Sequence, residues 1–401
     1  MTANINDARP FSFTSSEFVK DPYSFYDKLR SIYPICQGNF FKYQGWYITG
    51  YEEARAVLKD TRFKNRIPLP EASKKYEPLK SVQNDMMLFK NQPDHKRLRL
   101  LVSQVFTPKM IESYRPFIKE TANELLDHVQ KQKSMDVVSD FAFPLASLVI
   151  AEILGIPSEE RHQFKEWTAA FIQTIDFTRS RKALTDGSET AIKAIEYFNK
   201  LIQVRKENLK DDVISRLIQE EQKGNKLSHD ELLATCLLLM IAGHETTVNL
   251  ISNSVLLLLQ HPDQMQKLQE QLQLMEMAVE EFLRYEPPAQ ITARVASESI
   301  KIGETMIGEG EQVYILLGAA NRDPKMFTNA HMLDITRNPN PHLSFGHGPH
   351  VCLGSALARI EAQIAIQVLL QRMPLLQLAD ANPNYRKWAG FRSLAALPVV
   401  F

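Results

Sequence analysis

Apolar positions recur at helical spacing along most of the chain, and one stretch stands out. Ser228-His229-Asp230-Glu231 has the form of a capping box, in which a hydroxyl and a carboxylate each satisfy an orphan backbone N–H. The apolar run 232–242 comes next, and the helical pattern continues to residue 260, where His261-Pro262 stops it. At ~1.5 Å per residue, such a helix is about 50 Å long. A further helix is predicted over 355–373, with Leu357, Ile360, Ile364 and Val368 on one face. Residues 141–156 form the longest apolar stretch. Pro144 and Glu152 interrupt it, and it falls short of the ~18 residues expected of a membrane span, so it reads as a buried helix.

Strand-like alternation is confined to shorter pieces. Residues 45–50 read as a strand closed by glycine, followed by a helix over 51–59. Residues 300–317 alternate between Gly303, Gly308 and Gly310 and read as β-hairpins, and 397–401 are strand-like. Residues 67–94 hold several prolines among mixed polarity and read as a long functional loop. The pattern predicts a mainly α fold with a smaller β-rich region. Its helical core lies at 94–286 and 355–373, and its β-rich parts near 40–50 and 290–320.

The chain has 401 residues, which at roughly 100–200 per domain suggests two or three domains. No repeat or Gly/Ser linker divides it, and pieces of one candidate site are spread along most of its length. A single domain over 1–401 is therefore expected. Lys+Arg and Asp+Glu both number 47, which argues against a nucleic-acid partner. Cys36, Cys236 and Cys352 lie far apart and form no paired framework, so a reducing cytoplasm fits. The first thirty residues are polar and show no secretory signal. A cytoplasmic, membrane-free protein is expected.

Candidate chemistry centres on Phe345-Gly-His-Gly-Pro-His-Val-Cys-Leu-Gly354. Cys352 lies just before a predicted helix, whose N-terminus favours a thiolate over a thiol. Gly348 and Gly354 permit the close backbone approach that a flat macrocycle lying over the loop needs. A lone cysteine is usually a small buried hydrophobe. The whole spacing, Phe345-x-x-Gly348-x-x-x-Cys352-x-Gly354, resembles the haem-binding signature of the cytochrome P450 superfamily. That resemblance implies haem b (iron protoporphyrin IX), with Cys352 as the axial ligand to iron.

Ala242-Gly243-His244-Glu245-Thr246-Thr247 falls mid-helix, where a glycine costs roughly 1 kcal/mol against alanine and an acid in an apolar run is expensive. The segment resembles the family's oxygen-activation motif. By that resemblance, Glu245 and Thr246 relay the protons that promote O–O cleavage, the helix widens locally, and His244 has no catalytic role. The plainer alternative has the threonines bonding back to carbonyls one turn earlier and Glu245 as a paired core acid. Glu281-Phe-Leu-Arg284 matches the family's buried structural pair. His95, Arg99, Arg294 and His350 match positions that bind the haem propionates in bacterial members.

The resemblance spans essentially the whole chain and implies a monooxygenase fed with electrons by a separate ferredoxin or flavodoxin and its reductase. Lys96, Arg97 and Lys109 are candidates for a docking face. Segments 66–70, 84–94 and 172–183 resemble the substrate loops of the biotin-biosynthesis branch. That branch oxidises a fatty acyl chain, free or on acyl carrier protein, and cleaves a C–C bond to give a pimeloyl unit. Met86, Met87, Leu88, Phe89, Ile172, Ile175 and Ala242 are then candidate lining, and Arg179, Arg181 and Lys182 candidate partners for a carboxylate or an acidic carrier. Rival readings are a hydroxylase of macrolide-, statin- or steroid-like compounds, a peroxide-using fatty-acid peroxygenase, and a non-catalytic haem-binding sensor. The Glu245–Thr246 pair speaks against the last two.

Overall fold

The computed structural model describes residues 12–13, 15–40, 44–66, 74–222 and 227–401. Residues 67–70 of the first expected substrate segment, and residues 1–11 of the polar N-terminus, lie outside the described residues. The fold is mainly helical with a smaller β region, as the periodicity predicts. The elements that position the site are β1 (Ile35–Gly38), β2 (Gly45–Ile48), α1 (Tyr51–Lys59), β3 (Phe63–Lys64), α2 (Glu77–Asp85), α3 (Asp94–Val105), α4 (Phe143–Leu154) and α5 (Phe164–Ile175). Next come α6 (His229–Ala242), α7 (Glu245–Gln260), α8 (Met275–Tyr285), β4 (Ile291–Ala296), β5 (Gln312–Leu316) and α9 (Ser355–Arg372).

Strands β1, β2, β5, β4 and β3 form one sheet in that order; β2 and β5 run parallel, and the other pairs are antiparallel. The expected hairpin is present as Ile300–Ile302 paired with Thr305–Ile307, and the terminal strand Pro398–Val400 pairs with Ser134–Asp136. A large apolar core joins α2 through α9. Smaller ones sit against the sheet and under the N-terminal aromatics Phe13, Phe18 and Tyr26.

Three expectations need correction. The continuous 228–260 helix is two helices, interrupted at Gly243 and His244, where His244 has φ −100° and ψ −79°. The capping box is present, with Ser228 Oγ accepting from the Glu231 N–H at 3.2 Å and Glu231 Oε2 from the Ser228 N–H at 3.1 Å. At the break, a Cβ on Gly243 would lie 2.8 Å from Ile150 Cδ1 of α4, so a larger residue there would require the Ile150 side chain to shift. Second, the expected loop at 67–94 contains α2, whose Pro78 sits in the first turn, where a missing N–H costs nothing. Third, the apolar 141–156 segment is longer as a helix than its composition suggested. A π-helical turn, Val137–Ala142, extends it to 18 residues. This run and His229–Gln260 are long and apolar enough to cross a membrane by composition, but 61% and 72% of their apolar windows are buried inside the protein.

Candidate active site

Most of the α6–α7 pair is buried, including Ile241, Glu245, Thr247 and Val248, yet Leu239 and Thr246 are half-buried and Ala242 is exposed. Spacing of three and four residues puts these on one face, so the middle of the central helix pair presents an accessible face. Thr246 Oγ1 donates to the Ala242 carbonyl at 2.9 Å, satisfying an acceptor at the break and leaving its own lone pairs toward the open face. Glu245 points elsewhere. Its Oε1 accepts from Ser393 Oγ at 3.0 Å, and burial pushes its carboxyl up, against opposing pulls from Arg386 and Ser393. His244 is buried, bonded to Ser147 and edge-on to Phe143 of α4 at 4.3 Å.

The cysteine loop lies before α9, which packs against α7. Cys36 and Cys236 are the small buried hydrophobes that cysteines usually are. Cys352 differs. Its side chain is accessible, yet surrounding atoms desolvate it enough to push the thiol up, a combination that marks the wall of a recess. The Gly354 N–H, Arg99 and Arg359 pull the other way, and Gly354 is the N-cap of α9, so the helix end does act on the sulfur. The Cys352 N–H donates to the Phe345 carbonyl at 2.8 Å, closing the loop.

The two motif glycines differ in their reasons. Gly354 has nothing within 4 Å of a Cβ position, the open face that a macrocycle fits. Gly348 has φ +75° and would place a Cβ 2.7 Å from the Leu58 carbonyl of α1. It is glycine because of the turn and the neighbouring helix, not because of the ligand as the spacing suggested. Among the described residues no group of three His, Cys, Asp or Glu side chains is placed to hold a bare metal ion.

His95, Arg99, Arg294 and His350 come together from α3, β4 and the cysteine loop. The His95 and His350 rings lie 3.7 Å apart, and Asn65 Nδ2 is 2.9 Å from His350 Nδ1. Burial, then the neighbouring cations, pushes His95 down to about 4 and His350 to about 3, so both are neutral hydrogen-bonding groups near pH 7. Burial pushes Arg294 down to about 10; its Nη1 donates to the Thr292 hydroxyl and the Ala293 carbonyl. Neither Arg99 nor Arg294 forms an ion pair with a carboxylate among the described residues, and His95 Nδ1 is buried with no partner. A buried Arg294 beside a half-buried Arg99, with no anion between them, is costly, and two propionates would supply what is missing. The donor set fits haem.

Glu281 and Arg284 are fully buried, and the Nε–Nη2 edge of the guanidinium donates to both carboxylate oxygens at 2.8 Å. Two residues that spacing did not reveal tie this helix to the cysteine loop. Arg359 of α9 donates to both oxygens of Glu280 at 2.6 and 2.9 Å and lies 4.5 Å from the Phe345 ring centre. His342 bonds the same carboxylate at 3.1 Å. A basic residue within the apolar α9 pattern was the available signal.

The other sequence candidates divide. Met86, Met87 and Ile172 are buried in the main core; Leu88 is 42% exposed, and Phe89 and Ile175 are half-buried. Lys96 and Lys109 are exposed, whereas Arg97 is held by Asp94 and the capping Glu231, with Nη1 3.0 Å from its Oε2, which removes it from the expected docking face. Arg181 is exposed, Lys182 pairs with Asp186 and Arg179 Nη1 donates to the Asp176 carbonyl.

Comparison with known proteins agrees with this geometry. The "Cytochrome P450" family profile matches residues 9–395. The chain is 64% identical to the biotin biosynthesis cytochrome P450 of Bacillus subtilis, over 97% of this chain and 98% of that one. It is 40% identical to the polyketide biosynthesis cytochrome P450 PksS of the same organism, over 96% of each. A crystal structure of P450BioI in complex with hexadec-9Z-enoic acid ligated acyl carrier protein superposes with a TM-score of 0.93 at 64% identity, over 96% of this chain and all of that one. The chain belongs to the cytochrome P450 family, monooxygenases whose cofactor is haem b.

Proposed function

We propose that this monooxygenase oxidises a fatty acyl chain, carried on acyl carrier protein or free, with successive hydroxylations of adjacent carbons leading to C–C cleavage and a pimeloyl unit. The observation that carries the site is the accessible but desolvated Cys352 thiol beside Arg99, Arg294, His95 and His350, a cluster with no carboxylate partner among the described residues. Cys352 is the axial ligand in this reading, the cluster receives the propionates, and the chain works as one domain, because the pocket draws residues from Asn65 to Gly354.

Bound haem supplies dioxygen activation, and each hydroxylation consumes one dioxygen, two electrons and two protons. Thr246 holds a hydroxyl on the open face, and Glu245 stores a proton behind it. The substrate is recognised by apolar surface: Leu88, Phe89, Ile175, Leu239 and Ala242 are accessible and suit an alkyl chain. Likeness to a relative crystallised with an acyl-loaded carrier protein supports the carrier-bound form. Exposed Arg181 and Lys182 suit an acidic carrier, and exposed Lys96 and Lys109 an acidic ferredoxin or flavodoxin in the cytoplasm.

The test is spectroscopic. The reduced, carbon-monoxide-treated protein should show the red-shifted Soret band of thiolate ligation, and Cys352→Ala should abolish it. Titration with hexadec-9Z-enoic acid, free and on acyl carrier protein, should then shift the iron spin state. A shift with macrolides or steroids alone would overturn the acyl reading in favour of a secondary-metabolite hydroxylase.

A further inference from the structure

The acid of the helix break is held by a segment more than a hundred residues away. Ser393 is buried at the start of the strand Leu394–Ala396, and its hydroxyl donates to Glu245 Oε1 at 3.0 Å. The second carboxyl oxygen has no protein hydrogen bond among the described residues. The segment is pinned to α7 two turns further on, where Asn253 Nδ2 donates to the Arg392 carbonyl at 2.9 Å. Within it, the Arg386 N–H donates to the Ser393 carbonyl at 2.8 Å. The half-buried Arg386 guanidinium lies 5.0 Å from the Trp388 ring centre and acts on Glu245 as a nearby positive charge. Beside this segment is a small cavity, walled on one side by apolar residues such as Phe18, Val19 and Phe391 and on the other by Gln290, Arg386 and Ser393, with room for about one water.

We propose that Ser393 and Arg386 are the positioning residues of a proton-supply arm that reloads Glu245 from water in this cavity. The inference rests on the reading of Glu245 as the site's proton store. Glu245 gives its proton toward the Thr246 face. The Ser393 hydroxyl then passes its own proton to Oε1 and takes one from the cavity water, which bulk water replenishes, so no group is consumed. Arg386 favours the ionised carboxylate between the two transfers and orients the water. A hydroxyl at 393 and a cation at 386 are the chemical requirements.

The test uses the haem-loaded protein with Ser393→Ala, Ser393→Thr, Arg386→Gln and Glu245→Gln. The first readout does not depend on turnover. The infrared carboxyl band of Glu245, isolated by difference against Glu245→Gln, should move to higher frequency in Ser393→Ala. Its titration midpoint should rise in both Ser393→Ala and Arg386→Gln, because each removes a group that favours the ionised form. The second readout is the share of consumed dioxygen released as peroxide with hexadec-9Z-enoic acid and a surrogate ferredoxin system. It should rise about fivefold in Ser393→Ala, the factor one ordinary net hydrogen bond contributes, with Ser393→Thr near the parent.

An unmoved band and unchanged peroxide share in both Ser393→Ala and Arg386→Gln, while Glu245→Gln uncouples, would overturn the arm and leave Glu245 in its role. Normal coupling in Glu245→Gln would instead remove the underlying reading and the arm with it. If Ser393→Ala does not fold, Arg386→Gln decides the outcome by the same two readouts.

Discussion

Lysine at position 284 should behave almost as badly as alanine. Arg284 has no exposed surface, and all five of its N–H donors are used. Nε and Nη2 donate to Glu281 at 2.8 Å each, Nη1 to the carbonyls of Asn321 and Ala330 at 3.0 and 2.9 Å, and Nη2 also to the carbonyl of Met332 at 3.1 Å. A lysine ammonium has three donors at a single point, so at least two of these acceptors go unmatched. At about 1–3 kcal/mol for each buried acceptor left unpaired, Arg284→Lys should lose about 2–6 kcal/mol. Glu281 itself stays supported by the Asp334 N–H at 2.9 Å, Arg337 Nε at 3.1 Å and Asn340 Nδ2 at 3.1 Å, so the damage falls on the carbonyls rather than on a stranded charge. Asn321 transmits it: its side chain accepts from the Leu343 N–H and donates to Ser344 Oγ, at 2.7 and 2.8 Å, just before the cysteine loop. Urea titration followed by far-ultraviolet dichroism and by the Soret band should show both transitions at lower denaturant. Arg284→Lys within about 0.5 kcal/mol of the parent would refute the donor-count reasoning, because ordinary surface changes lie in that range.

The same geometry fixes three further outcomes. The carboxyl of Glu280 feels burial most, but bonds from His342 and Arg359 outweigh it and hold it at about 2, so its stabilising contribution is complete above pH 4.5 and lost as pH falls through 2. With the side chain 29% exposed, Glu280→Gln should cost about 2–3 kcal/mol at pH 7 and flatten the acid limb of the stability curve, read by denaturant titration from pH 7 to pH 3. Gly348→Ala should cost about 2–4 kcal/mol, from left-handed strain and contact with the Leu58 backbone, and should lower haem content at fixed expression. Arg294→Ala should speed haem loss to an acceptor protein about 10–100-fold, the worth of a charged hydrogen bond, while leaving the haem-free protein as stable as the parent or more so.

Residue types were more legible in the sequence than residue directions. The capping box could be read because local spacing fixes its geometry, and it is present; the cysteine loop and the Glu281–Arg284 pair were read from their likeness to family motifs, and the pair is buried and bonded. The same spacing misassigned Gly348, whose close neighbour is a helix distant in sequence. Arg97 looked like a free cation because Glu231, 134 residues on, is brought beside it only by the packing of two helices. Helix α2 was hidden for a different reason: its proline reads as a breaker unless the first turn is already known. Glu280, His342 and Arg359 meet from three elements, and no local pattern announces such a meeting.

In the acid–alcohol pair the residue types were known from the motif and the directions were not. Neighbours on a helix are about 100° apart, so Glu245 and Thr246 cannot face the same space while both are helical. They point in different directions, the hydroxyl on the accessible face with Ala242 and the carboxyl turned onto Ser393. A proton passing from one to the other therefore needs a moving carboxyl or an intervening water. The break at Gly243 and His244 lies immediately before Glu245 and leaves that first turn less constrained than a continuous helix would. Adjacency in the motif thus describes two stations held apart at rest, and the residue that holds the first station, Ser393, belongs to a part of the chain the motif does not contain.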